Sequence, residues 1–250
     1  MDILKQYIPN FLFILLRAGI MVSMLPFLST SNFPARVKIG IAVAIALILA
    51  PVVEFKVEKP EIPIVVIREI IFGMALGFAA RLVFFAVDIA GQLMSIATGL
   101  SMASVLNPEI GQSTEISMVY GIIAMFVFLT MDAHHDLIVI FVKSYEWLPA
   151  GRLDVQSLVM PIISMGSKMF IIALKVSAPV VVLMLIAHLM LGFIYKAAPQ
   201  INIFFVAYPI YIVLGFSVMI LSVPIFIYTV GDYFNGIKDD MLRAIAAAKG

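Results

Sequence analysis

Polar residues are scarce along this chain and come in short bursts, with long apolar runs between them. A helix needs about 20 apolar residues to cross a hydrocarbon layer of about 30 Å. Runs of that kind number about six: residues 8–28, 37–53, 62–94, 116–142, 159–195 and 203–230. The pattern predicts an all-α membrane protein. The third and fifth runs exceed one untilted crossing, so each is expected to tilt, break or fold back as a helical hairpin. Pro179 is a candidate break in the fifth run, because proline removes a backbone donor and clashes with the preceding turn; Pro209 and Pro224 do the same in the last. The longest polar connections are residues 97–115 and a short polar C-terminal tail at 231–250, too little for a separate soluble domain. The expectation is one membrane-embedded domain over residues 1–250.

Composition sharpens this picture. Hydrophobic residues make up 63% of the chain and charged residues 12%, against roughly 25% charged in soluble domains. A net charge of +1 offers no basic face for phosphates, so nucleic acid is excluded as a partner. Without cysteine there is no disulfide, thiolate metal site or cysteine nucleophile. The N-terminal stretch lacks a strongly basic start and a clear small-residue cleavage site and carries Arg17 inside its apolar run, so it is expected to be an uncleaved first span. On six crossings, Lys5, Lys56, Lys59, Lys143, Arg152, Lys238, Arg243 and Lys249 fall on the side of the termini. Arg36 and Lys196 fall opposite, with Lys38 at an edge; the positive-inside rule then puts both termini in the cytoplasm.

Charges inside the apolar runs carry most of the candidate chemistry. Arg17, Arg68, Glu69, Arg81, Asp88, Lys168 and Lys175 would each cost at least about 2.5 to 3.5 kcal/mol facing lipid, so they are expected to face protein or water. Arg81 and Asp88 are two turns apart on one helical face, as are Lys168 and Lys175, and Asp88 is the nearest candidate partner for Arg81. Gly73 and Gly77 form a G-x-x-x-G pair that admits a neighbouring helix, from this chain or another. "TMDAHHDL", with Asp132, His134, His135 and Asp136, reads as a proton relay or as an interfacial turn. The two imidazoles point about 100° apart on a helix, which is awkward for a shared metal. His188 reads as a packing residue.

Enzyme templates are missing. There is no G-x-x-x-x-G-K-[ST] phosphate loop, no H-E-x-x-H and no G-x-S-x-G, so neither an enzyme nor a cofactor or metal site is expected.

Four stretches in order resemble one family. They are "LPFLSTSNFPARVKIGIAVAIALILAP" (25–51), "EIIFGMALGFAARLVFFAVDIAGQLMSIATGLSMASVLNP" (69–108), "FLTMDAHHDLIVIFVKSYEWLPAG" (128–151) and "KAAPQINIFFVAYPIYIVLGF" (196–216). Together they are similar to the FliR family of the bacterial flagellar export apparatus, homologous to the T subunit of type III secretion injectisomes. In the last stretch the similarity rests on Pro199, Gln200, Asn202 and Pro209. Asn107 departs from it, because many relatives carry Asp before the proline; the turn-forming role survives the change.

The resemblance implies a structural and gating subunit of the export channel, in the inner membrane at the flagellar basal body. It would assemble with FliP and FliQ, contact FlhB, work beneath FlhA and pass unfolded exported proteins, its hydrophobic segments forming helical hairpins. It further implies that residues 97–117 act as a plug, with Gly99, Leu100, Ser101, Met102, Val105, Asn107, Pro108 and Gly111 in the gate. Glycines give such a seal backbone freedom and methionine repacks readily. Arg17, Glu69, Gly73, Gly77, Arg81, Asp88, Lys168 and Lys175 are then expected at subunit-packing or buried-charge positions. The alternative from the residues alone is a secondary transporter or proton-coupled permease that uses the intramembrane charges.

Overall fold

The structure is a computed structural model and describes residues 2–25, 34–53, 62–101, 114–148, 153–200 and 203–248. Seven helices account for nearly all of them: α1 (Asp2–Met24), α2 (Ala35–Leu49), α3 (Ile62–Thr98), α4 (Glu115–Thr130), α5 (Ala133–Trp147), α6 (Val155–Ala197) and α7 (Ile203–Ala247). Each of the six apolar runs reappears. The fourth is split at Met131 and Asp132, where α4 and α5 meet with a bend of 65°. Asp132 makes that corner in the left-handed region, at φ 54°, a conformation that Asp tolerates better than most residues.

The two overlong runs are each one continuous helix of 37 and 43 residues. Pro179, Pro209 and Pro224 all lie inside helical segments, so none of them ends its helix. Among the described residues three helices are long and apolar enough to span a membrane, or four if the bent α4 and α5 count as one. Within the described residues α1 presents the apolar stretch Ile8–Met24 and α2 has 15 residues. The helices that pass this test among the described residues number fewer than the six crossings from which the orientation was drawn.

The helix ends follow local chemistry. Thr114 caps α4 by accepting the Ser117 N–H at 3.2 Å, and Glu115 in the first turn complements the helix dipole. Asp154 caps α6 through Gln156 N at 3.1 Å and the Ser157 hydroxyl. These bonds, with the Arg68 charge, hold its carboxyl below the usual range. Gly99, at φ 77°, ends α3 in the left-handed conformation where a Cβ would be strained.

The chain divides into two compact units. The first takes Met1–Leu82, Asp132–Ser167 and Phe234–Gly250; the second takes Val83–Met131 and Lys168–Tyr233. In the first, α1 packs on α2, Asn10 donates to the Val53 carbonyl at 2.9 Å, and Ile14, Phe72, Ile140, Met241 and Ile245 are buried. The stretch from Gly231, read above as a polar tail, continues α7. Its apolar residues recur every three or four positions, so Phe234, Ile237, Met241 and Ile245 bury one face. In the second unit Ala86, Ala90, Met94, Ala124 and Met184 are fully enclosed. There Phe84 meets Phe128 and Tyr120 meets Phe226 edge-on, with ring centres 5.6 and 4.8 Å apart.

Candidate functional site

In the first unit a buried charge cluster joins α1, α3 and α5. Arg17 and Glu69 are 1% and 2% exposed. The guanidinium grips the carboxylate with both arms, Nε to Oε2 at 2.6 Å and Nη2 to Oε1 at 2.8 Å. Nη1 donates to Ser144 Oγ at 3.0 Å and Nη2 reaches the Leu148 carbonyl at 3.5 Å. The Phe72 and Tyr145 rings lie 4.7 and 4.0 Å from Cζ. A bidentate pair with further donors and aromatic faces around it is the geometry in which Coulomb attraction offsets desolvation.

The glycines explain how α1 comes close enough. Glu69, Gly73 and Gly77 lie four residues apart on one face of α3. A Cβ on Gly73 would sit 3.2 Å from the Arg17 carbonyl oxygen and 3.3 Å from Ile20 Cβ; one on Gly77 would sit 2.7 Å from Met24 Cβ. The helix admitted by the G-x-x-x-G pair is α1 of the same chain. Arg17 and Glu69, expected at subunit-packing or buried-charge positions, pair with each other inside the chain. The Glu-x-x-x-Gly-x-x-x-Gly spacing was the available sequence signal.

Of the remaining expected charges, Arg68 acts on the Asp154 carboxyl. Asp88 accepts from Gln92 Nε2 at 3.0 Å on its own helix. Lys175 is exposed, with its Nζ 5.8 Å from the centre of the Tyr233 ring, and Lys168 is half-buried. In "TMDAHHDL", Asp136 pairs with Lys238 at 2.6 Å, His134 is half-buried and His135 exposed. Among the described residues no group of His, Asp and Glu is placed to hold a metal ion. His188 packs its ring on Tyr211, 4.2 Å between centres.

The second unit holds both ends of the plug-like stretch. Ala97 and Thr98 still belong to α3, and Glu115 to Ser117 to α4. Met102, Val105, Asn107, Pro108 and Gly111 lie outside the described residues, as does Asn202. At the leading end the Tyr208 hydroxyl donates to the Gly99 carbonyl at 2.7 Å. Gly215 lets α7 close on Thr98, since a Cβ there would lie 2.4 Å from Thr98 Cγ2. At the trailing end a Cβ on Gly91 would lie 2.4 Å from Ser117 Cα, and Ser117 Oγ bonds Thr114 Oγ1 at 2.8 Å and the Asp88 carbonyl at 3.3 Å. Beside both ends lies an apolar cavity of about 400 Å³, lined by Leu100, Glu115, Ile116, Tyr120, Phe216 and Ile220 among others. Sequence reasoning missed Gly91, Thr98, Tyr208 and Gly215. Tyr208 directly precedes Pro209 in the quoted family stretch, while Pro199 and Gln200 sit exposed in the turn after α6.

Long apolar helices, a chain-internal charge pin and a segment clamped at both ends define an all-helical membrane-embedded subunit built for packing. The chain belongs to the family described as bacterial export proteins, family 1, whose pattern matches residues 8–237. It is 30% identical to the flagellar biosynthetic protein FliR of Escherichia coli K12, over 84% of this chain and 83% of that one. With the FliR of Caulobacter vibrioides it shares 32% identity over 82% and 85%. The secretion system apparatus protein SsaT of Salmonella typhimurium is 28% identical over 62% and 61%.

Proposed function

We propose that this chain is a structural and gating subunit of the flagellar type III protein export apparatus, part of the conduit rather than its motor. The observation that carries this reading is the mismatch between α6 and α7 and a bilayer. Helices of 43 and 45 residues are about 65 Å long at 1.5 Å per residue. Fitting their apolar runs, residues 159–195 and 203–230, within about 30 Å of hydrocarbon demands tilts of roughly 57° and 44°, beyond the 0–40° range of membrane helices. Yet the most apolar stretches of the two helices are only 33% and 22% buried within the chain. Apolar faces that extend past the lipid need protein cover, which FliP, FliQ, FlhB and FlhA would supply in the inner membrane.

The units interleave along the sequence, because α3, α6 and α7 each contribute to both. That supports a single module over the chain. Residues 97–117 serve as the seal against ions and water, yielding to an unfolded polypeptide. The clamps at Gly99 and Ser117 support this role, since a segment that gives way needs fixed ends. The matched relatives are named flagellar biosynthetic and secretion system apparatus proteins, which favours the export reading over a permease.

Deleting residues 105–111 retains the Thr114 cap and both clamps. The assembled complex should then leak small solutes, measured as ion flux across proteoliposomes. An assembled deletion mutant that stays tight would sink the plug assignment.

A further inference from the structure

Lys175 lies near the middle of α6, with about 30 Å of helix on either side at 1.5 Å per residue. From Met169 to Tyr195 it is the only lysine, arginine, aspartate or glutamate. Its side chain is exposed. It shares its face of the helix with Ile171, Leu174, Val182 and Ile186, all of them exposed too. A contiguous apolar face of this kind marks a contact with protein or membrane rather than with water. Among the described residues no carboxylate pairs with Lys175, and Asp232, beside Tyr233 in the sequence, is no exception. Its contact within the chain is the Tyr233 ring, whose centre lies 5.8 Å from Nζ. That is near the outer limit of a cation–π attraction, and it leaves the three N–H donors unused.

Neither lipid nor a purely apolar helix satisfies an ammonium group, and covering it without a counter-charge is costly. The charge therefore specifies what covers this face. We propose that it is a docking surface for an apolar helix of a neighbouring protein that carries an Asp or Glu, and that this carboxylate pairs with Lys175. The aliphatic side chains around Lys175 pack against the incoming helix and exclude water. The ion pair fixes the register, because a slip of one turn would leave both charges covered and unpaired. This inference rests on the reading of the chain as one subunit of the export apparatus, and it adds the chemistry of one contact.

The test uses cells that assemble the apparatus, with the complex purified through a tag on the full chain, and reads complex yield and swimming. Lys175→Glu should lower the yield about tenfold or more, because two like charges then meet, while the amount of chain in the membrane stays the same. Should the chain itself be lost, Lys175→Gln is read in its place and should lower the yield by a smaller factor. Lys175→Arg should assemble as the parent does. So should Tyr233→Leu, which removes only the contact within the chain. Selection for restored swimming in Lys175→Glu should return changes that neutralise or reverse an Asp or Glu in an apolar segment of another membrane protein. The proposal is overturned if neither Lys175→Glu nor Lys175→Gln lowers the yield, or if Tyr233→Leu causes the same loss. Suppressors confined to this chain, Asp232 included, overturn it as well. A parent chain that purifies alone overturns the export reading itself, and the docking with it.

Discussion

At the residue scale Arg17 stands on its partner, because a guanidinium removed from water is tolerable only while Glu69 neutralises it. Glu69→Leu leaves that cation buried and unpaired and should destabilise the chain by about 3 to 5 kcal/mol. Replacing both, as Arg17→Met with Glu69→Leu, should recover most of the loss, since an apolar pair of similar volume has no desolvation cost. Thermal midpoints of the four proteins of this cycle in one detergent check it, and strict additivity would contradict it. Asp154 makes a smaller, pH-dependent contribution. Its folded carboxyl titrates below its ordinary value of 3.8, so the stabilisation is complete above that value and is lost as pH falls through the folded pKa. Asp154→Ala should melt below the parent at neutral pH and converge with it in strong acid.

Glycine decides, at the scale of elements, which helices touch. Gly91 faces backbone atoms of Ser117, which cannot rotate away, so Gly91→Ala must force α3 and α4 apart. A loss of about 1 to 3 kcal/mol is expected from overpacking. Gly121 in α4 has nothing within 4 Å of the point where a Cβ would sit. Gly121→Ala should therefore be neutral or raise stability by up to about 1 kcal/mol, from helix propensity alone. Comparing the melting of the two variants separates close helix contact from a general effect of adding a methyl group. The same logic accounts for the internal role of Gly73 and Gly77. Spacing alone says that a helix can approach, and only the fold says which one.

At the scale of the whole molecule, most of the apolar surface of α6 and α7 is left for something else to cover. Phe205, Leu221 and Tyr228 are 81%, 76% and 78% exposed. Photo-crosslinkers at these three positions should capture partner proteins in cells that assemble the apparatus. Capture of lipid alone at all three would contradict the proposed cover. Hydrophobic periodicity was enough to locate every apolar segment, because hydropathy accumulates along the chain and needs no knowledge of neighbours. The helical class followed, since an unpaired backbone is too costly in an apolar medium. The sequence likewise showed that charges inside those segments need satisfaction, and its quoted stretches pointed to the family. It offered a turn at "TMDAHHDL" as one of two readings, but did not reveal the helix running on past Gly231 or that Arg17 pairs with Glu69. Arg17 finds Glu69 across 52 residues and Ser144 across 127, and Tyr208 holds Gly99 across 109. Such pairings arise only when packing brings distant helix faces within a few ångströms, a short-range condition that one-dimensional polarity does not encode.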